Sequence, residues 1–171
     1  MKSLPKNFQD ILDAIEESLQ KDRLIPVLIL VYSGIDNISN LAEITEKPAG
    51  IVFKEWVKKW MLEKYSLPCN ETDIWSARCG LLHQQISESK LTKDGKAREI
   101  YYSHGGANPK TLQLMIALAN KNAVSVVLED LIRSFRNGMI DCISEIEKNT
   151  EWKKSFDLKA SKLFITVKSQ L

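Results

Sequence analysis

The spacing of apolar residues along the chain predicts a mainly α fold. Between residues 7 and 21, apolar side chains recur three and four positions apart, as on one face of a helix. Similar patterns predict four more helices, over about 22–42, 51–65, 71–86 and 122–147. These segments predict a small, mainly helical domain.

The second predicted helix changes character along its length. Its first half is apolar on all sides, which is typical of a central, buried helix. Its second half carries a polar strip that includes Tyr32 and Asp36. Either this end of the helix emerges into water, or Asp36 meets a cation inside the fold, because a carboxylate beside an apolar helix needs a partner. Arg78 is the candidate cation.

The pattern after the fourth helix favours β structure. The sequence Lys93-Asp94-Gly95-Lys96 is a turn signal between two short segments of strand character, Leu91-Thr92 and Ile100-Tyr101-Tyr102. We therefore predict a small β-hairpin inserted after the fourth helix. The apolar run from Thr111 to Leu118 fits either a strand or a helix, and we favour a strand. The β insertion then covers about residues 90–118.

The end of the chain, residues 148–171, is predicted to be a short extension of the bundle. It contains Trp152 and Phe156 and a last stretch of β character from Leu163 to Val167. Nothing in the pattern indicates a second domain, so we expect one domain over residues 1–171.

The overall charge and hydropathy exclude several classes of protein. The chain of 171 residues has 24 basic and 22 acidic side chains, a balance that argues against a polybasic binder of nucleic acids or membranes. The longest apolar run, from Ile25 to Tyr32, is too short to span a bilayer. The first residues have no apolar signal core. We expect a cytoplasmic protein with no membrane partner.

The cysteines and histidines do not form a ligand pattern. Cys69, Cys79 and Cys142 are widely spaced, which disfavours a disulfide framework or a zinc site and favours a reducing compartment. The two histidines, His83 and His104, lie 21 residues apart without a metal-binding motif. No glycine-rich phosphate loop follows a predicted strand. We therefore expect no metal and no other cofactor.

The fourth predicted helix, which Asn70 and Asp73 can cap, carries Arg78 and His83 in an otherwise apolar pattern. Arginine stays protonated at working pH, whereas histidine gains or loses a proton near pH 7. Such a pair can bind a phosphate and move a proton on it. Residues five apart on a straight helix differ by about 140° in direction and about 7.5 Å in rise. The two side chains therefore converge only if Arg78 wraps around the helix or a second element closes the cleft.

Other interpretations of this helix stay open. Gly80 allows another backbone to approach, as a second copy of the helix across a two-fold axis would do. Arg78 can instead neutralise Asp36 or Asp73 while His83 bonds a backbone carbonyl. Cys79 and His83, four residues apart, could also form a thiol site, although a small thiol in a helix is usually part of the core.

The R-x-x-x-x-H motif, Arg78 to His83, resembles that of the HEPN superfamily. The hallmark of that family is an Arg, four to six residues and a His on a bundle of four or five helices. The string Tyr32-Ser33-Gly34-Ile35-Asp36, followed about 40 residues later by Ile74-Trp75-Ser76-Ala77-Arg78-Cys79-Gly80-Leu81-Leu82-His83, looks like small bacterial members. The resemblance covers roughly residues 22–86; the hairpin and the C-terminal extension are not part of the common pattern.

The resemblance implies a homodimer in which the two motifs face each other. For active members it implies metal-independent endoribonuclease activity in toxin–antitoxin, phage-defence or RNA-processing roles. Arg78 and His83 would then be catalytic on RNA, and a cognate antitoxin would be a further partner. Active members commonly have a polar residue after the Arg, where this chain has Cys79. A catalytically inactive binding or regulatory module is therefore the alternative.

Two further groups of residues complete the predicted site. Four residues near the motif are expected to support the pair: Tyr32, Asp36, Asp73 and Cys79. A second group around the predicted hairpin would form an RNA-facing rim or simply a solvated surface: Lys93, Lys96, Arg98, Tyr102 and His104.

Overall fold

The computed structural model of the chain describes residues 4–163, apart from the side chain of Gln84. In this range the fold is mainly helical, as the apolar spacing predicts. The helices, in chain order, are α1 (Lys6–Gln20), α2 (Leu24–Ala42), α3 (Ala49–Trp56), α4 (Glu71–Gln84), α5 (Lys90–Lys93), α6 (Pro109–Leu118), α7 (Leu128–Lys148) and α8 (Thr150–Ala160). Helix α3 continues as a π-helical segment, Val57–Leu62, and two strands, β1 (Glu99–Ser103) and β2 (Ala123–Val127), complete the fold.

Helix α2 lies at the centre of the bundle, as its apolar first half predicts. It contacts α1, α3, α4, α7 and α8. Its side chains Val27, Val31, Tyr32, Ile35 and Ile38 are fully buried. These neighbouring helices cover the apolar circumference of α2 and so remove it from water.

The length of α2 corrects one premise of the sequence analysis. The apolar run from Ile25 to Tyr32 is short, but the helix that contains it has 19 residues. In the described part of the chain, α2 is the one helix long and apolar enough to cross a membrane, judged by length and composition alone. Half of that window is buried inside the fold, as in the core helix of a bundle.

The prediction of a β-hairpin is wrong. Strands β1 and β2 pair in parallel, with Tyr101 opposite Ser125, and α6 connects them. Leu91 and Thr92, predicted to be the first arm of the hairpin, lie in the short helix α5, which the Ser89 side chain caps. The turn at Gly95 is present, with φ of 68°. It leads from a helix into β1 and not from strand to strand.

The prediction of a strand from Thr111 to Leu118 is also wrong. The run from Thr111 to Leu118 belongs to helix α6, which begins with Asn108 as a capping residue and Pro109 in its first turn. Parallel strands require such a crossover. The last long helix, predicted from residue 122, begins only at Leu128, because the β-branched segment Ala123–Val127 forms β2.

The C-terminal extension folds onto the bundle as helix α8. Phe156 is buried, and the indole Nε1 of Trp152 donates a hydrogen bond of 2.6 Å to the carbonyl of Ala42, at the end of α2. The stretch of β character predicted from residue 163 to 167 lies outside the described residues except for Leu163.

Candidate active site

Helix α4 begins at the predicted place. The Asn70 side chain accepts hydrogen bonds of 2.9 Å from the backbone N–H groups of Thr72 and Asp73. The Asp73 carboxylate accepts a reciprocal bond of 3.1 Å from the backbone of Asn70, which completes a capping box. This cap fixes the start of the helix and therefore the direction in which Arg78 leaves it.

Asp36 of α2 and Arg78 of α4 form the predicted ion pair. One carboxylate oxygen, Oδ2, accepts a hydrogen bond of 2.7 Å from Nε of Arg78 and lies 2.7 Å from Nη2 in an ion-pair contact. The side chains are 27% and 19% exposed, so the pair is shielded from water without being enclosed. Of the two alternatives for the polar half of α2, the second therefore holds at Asp36, which meets a cation inside the fold.

His83 completes a chain of contacts that we call the Asp36–Arg78–His83 relay. Nη1 of Arg78 lies 3.2 Å from Nε2 of His83. Because a guanidinium has only donors, Nε2 of the imidazole accepts and Nδ1 carries the ring proton. The arginine side chain wraps around α4 to make this contact, which is one of the two arrangements that the five-residue spacing allowed. His83 itself is exposed to solvent.

Trp75 is a neighbour of the relay that the sequence analysis did not single out. The guanidinium carbon of Arg78 lies 5.1 Å from the centre of the Trp75 rings, a geometry that adds a cation–π attraction. The signal was present in the sequence, because residues three apart on a helix are neighbours on its surface. Trp75 therefore helps to hold the guanidinium in place.

Gly80 is required by the chain's own backbone. A Cβ atom at this position would lie 2.6 Å from the carbonyl oxygen of Ile86 and 2.9 Å from that of Glu88. The expectation that a close backbone belongs to a second copy of α4 is thus not needed to explain this glycine. The segment after α4 folds back over Gly80 and closes that side of the helix.

Burial shapes the electrostatics of the relay. Burial raises the pKa of the Asp36 carboxyl above its ordinary value, against the opposing effect of the Arg78 guanidinium. Burial also raises the pKa of the Cys79 thiol, although Arg78 favours the thiolate. A thiol with a raised pKa is a poor nucleophile near neutral pH, so the thiol site at Cys79 and His83 is disfavoured.

Asp73 and Arg98 form a second ion pair that is structural. Asp73 is almost fully buried, with 1% exposure. It accepts bonds from Nε and Nη2 of Arg98, at 3.1 and 2.7 Å, and from the Arg98 backbone at 2.7 Å. Arg98 therefore ties the start of β1 to the start of α4. Its guanidinium is directed to a buried carboxylate, which corrects its placement on an RNA-facing rim.

Tyr102 also faces the fold and not an outer rim. Its hydroxyl is hydrogen-bonded to that of Tyr32, which is fully buried in the centre of α2. Burial raises the pKa of both tyrosines above their ordinary value. The pair joins β1 to α2 one helical turn before Asp36.

The other members of the predicted rim remain near the surface, each beside an acidic side chain. Lys93 lies 3.7 Å from Glu88, and Lys96 lies 3.9 Å from Asp94. Nδ1 of His104 lies 3.7 Å from the carboxylate of Asp22. Of the five predicted rim residues, these three keep a solvated position.

Known proteins do not identify the chain. Comparison with protein-family models, with curated proteins and with solved structures finds no match. The resemblance to the HEPN superfamily therefore stays a prediction. Within residues 4–163, no group of three or more His, Cys, Asp and Glu side chains could hold a metal ion.

Proposed function

We propose that the chain is a HEPN-like, metal-independent endoribonuclease that works as a homodimer, with Arg78 and His83 at its active site. The observation that carries the proposal is the Asp36–Arg78–His83 relay. It brings an oriented guanidinium within 3.2 Å of a solvent-exposed imidazole in a single chain. These two groups are what cleavage of an RNA phosphodiester by its own 2′-hydroxyl needs: an anion clamp and a proton carrier.

Arg78 binds the phosphate in this proposal. A guanidinium has five N–H donors, and Asp36 and His83 do not exhaust them. Asp36 fixes the plane of the group before substrate arrives, so little ordering remains to be done when a phosphate oxygen binds. The same phosphate draws Nη1 away from His83 and frees the lone pair on Nε2.

His83 then acts as the general base. The 2′-hydroxyl oxygen forms a bond to phosphorus while its proton passes to Nε2 of His83. The bond between phosphorus and the 5′-oxygen breaks, and that oxygen takes a proton from the protonated His83 of the second copy. The products are a 2′,3′-cyclic phosphate and a 5′-hydroxyl, and no cofactor takes part. The homodimer supplies the second imidazole.

The test is cleavage of a labelled, mixed-sequence RNA pool by purified protein in EDTA. We expect the wild type to leave 2′,3′-cyclic phosphate ends and His83→Ala to lose at least about a hundredfold in rate. Lys6→Ala is the control, since it removes an exposed cation that pairs with Asp10 on α1, and it should cleave normally. Thermal melting of all three proteins verifies the fold. Equal cleavage by wild type and His83→Ala would show that the activity does not come from this site.

One observation favours the second candidate, a catalytically inactive binding or regulatory module. Asp36 holds Arg78 by a hydrogen bond and an ion-pair contact in a shielded position, as a purely structural ion pair would. In this case the wild type binds RNA or another anion but does not cut it, and His83→Ala leaves binding unchanged. Roles in toxin–antitoxin systems or phage defence, an antitoxin partner and a cytoplasmic location remain predictions from the sequence.

A further inference from the structure

A small pocket lies beside the relay, between α2, α4 and β1. We call it the α2–α4 pocket. Its volume is about 210 Å³. Its walls are largely apolar and include Ile25, Leu28, Tyr32, Ala77, Leu81 and Ile100. Ile25 and Ile86, which also line the pocket, are 47% and 41% exposed, so it opens to solvent between two apolar side chains.

The size of the pocket limits its occupant to a single ring system. An apolar cavity of about 150 Å³ holds one benzene ring, whereas sites for drug-sized ligands occupy about 300–1,000 Å³. The α2–α4 pocket falls between these values. It has room for one planar base but not for a base with its sugar and phosphate, which would have to lie outside.

The lining residues place the pocket next to the relay along α2 and α4. Tyr32 lines the pocket, and Asp36 follows one turn later on the same face of α2. Ala77 lines it from α4 and directly precedes Arg78 in the chain. The pocket and the relay are therefore neighbours along both helices.

We propose that the α2–α4 pocket binds one base of single-stranded RNA and holds the adjoining phosphate on Arg78. This inference rests on the proposed function and adds to it a determinant of where the RNA is cut. Ala77, Tyr102 and the two isoleucines at the mouth then decide which base is accepted. A base in a double helix cannot enter, because it is stacked and paired.

The test measures binding separately from cleavage. The probes are fluorescein-labelled RNA hexamers with 2′-O-methyl riboses, which lack the attacking hydroxyl and cannot be cut. In each probe one position is abasic. We expect one abasic position to weaken binding to the wild type about tenfold, the typical effect of losing one bound base.

Ala77→Leu fills the pocket and should remove this dependence, so that the intact and abasic probes bind equally. Ala117→Leu makes the same change at an exposed position of α6 and should behave as the wild type. Ile25→Phe narrows the pocket from an exposed position and should weaken the same dependence, so it serves as the second variant if Ala77→Leu does not fold. Thermal melting and sedimentation verify the fold and the oligomeric state of each protein.

The outcomes separate this inference from the proposed function. If the abasic position weakens binding to the wild type but not to Ala77→Leu, the pocket binds a base. This conclusion holds even if RNA with free 2′-hydroxyls is never cut. If RNA is cut, but the abasic position weakens binding equally in the wild type and Ala77→Leu or in neither, the pocket does not bind a base. The proposed function then still stands. A change in oligomeric mass in Ala77→Leu without a change in the abasic effect assigns the pocket to a contact between copies and also overturns the inference.

Discussion

One carboxylate oxygen of Asp36 accepts a hydrogen bond from Nε of Arg78 and forms an ion-pair contact with Nη2, each at 2.7 Å. This geometry fixes the plane of the guanidinium between α2 and α4 and leaves Nη1 against His83. The ion pair thus has two roles that can be measured separately. It neutralises a shielded carboxylate, and it orients the group that we propose binds phosphate.

The first prediction concerns the contribution of this ion pair to stability. Removing one partner of a fully buried pair costs about 3–5 kcal/mol. Because both side chains retain some exposure, we expect Arg78→Ala to lower the free energy of unfolding by about 1–3 kcal/mol. Urea unfolding measures it. Lys6→Ala is the control, since Lys6 pairs with Asp10 on the open surface of α1, and it should cost about 0.5 kcal/mol or less. Equal losses in the two variants would contradict the structural role of Arg78.

The second prediction is the pH dependence of that loss. A carboxyl with a raised pKa in the folded state favours folding at low pH, and this contribution is lost as pH rises through the folded pKa. Burial raises the pKa of Asp36 from 3.8, and Arg78 opposes the rise, so Arg78→Ala raises it further. The free energy of unfolding of the variant should therefore be closest to that of the wild type below pH 3.8. The difference between the two should grow as pH rises above that value.

Asp36→Asn supplies the control for this pH profile. In that background the carboxyl is absent, so adding Arg78→Ala should cause a loss that does not change between about pH 3 and pH 5, a range below that in which a histidine such as the neighbouring His83 ordinarily changes charge. Unfolding free energies of the four proteins, measured across this range, form a complete cycle. A loss from Arg78→Ala that is constant with pH in the presence of Asp36 would show that the carboxylate is not its partner.

The sequence predicts the ion pair and the helical core because both depend on local patterns. Asp36 occupies the polar half of an otherwise apolar helix, and a carboxylate in that setting requires a cation. Arg78 is the basic residue in the apolar pattern of α4. The same reasoning finds the Asn70 and Asp73 cap, whose bonds join residues three apart.

The parallel sheet could not be found in this way because its pairing is not local. Tyr101 pairs with Ser125, 24 residues later, after the crossover helix α6. The turn at Gly95 and the strand that follows favour a hairpin on local signals alone. Leu114 and Leu118 on α6 are 60% and 80% exposed. Their apolar run therefore does not mark a buried strand.

The residues of the predicted RNA rim show a related limit. The sequence places Arg98 near lysines and a histidine, which favours a basic surface. The structure directs its guanidinium to Asp73, 25 residues earlier. Charge patterns along a chain identify which residues are basic, whereas only the tertiary fold decides which of them already have buried partners.

The third prediction follows from this second ion pair. Arg98→Ala leaves the Asp73 carboxylate, which is 1% exposed, without a countercharge. We expect a loss of about 3 kcal/mol in the free energy of unfolding. Lys96→Ala, with a side chain that is 69% exposed, should change stability by about 0.5 kcal/mol or less. Chemical unfolding of both variants is the measurement. If Arg98→Ala unfolds at the same denaturant concentration as Lys96→Ala, Arg98 is not structural. The prediction that it lies on an RNA-binding surface would then stand again.

The fourth prediction tests why α4 has a glycine at position 80. Helix propensity alone predicts that Gly80→Ala stabilises the protein by about 1 kcal/mol. The structure predicts the opposite sign, because the new Cβ would lie 2.6 Å from the carbonyl oxygen of Ile86 and 2.9 Å from that of Glu88. Overpacking against backbone of this kind costs about 1–3 kcal/mol. Thermal and urea unfolding give the sign directly.

Protein concentration separates this explanation from packing between two copies of α4. A clash within one chain lowers the melting temperature equally at all protein concentrations, whereas a clash in a dimer interface has an effect that depends on concentration. Thr72→Ala, in the first turn of α4, is the control and should stay within about 0.5 kcal/mol of the wild type. A stabilised Gly80→Ala would mean that the segment at Ile86 and Glu88 does not fold over α4 as described. A loss seen only at high concentration would instead place Gly80 in the dimer interface.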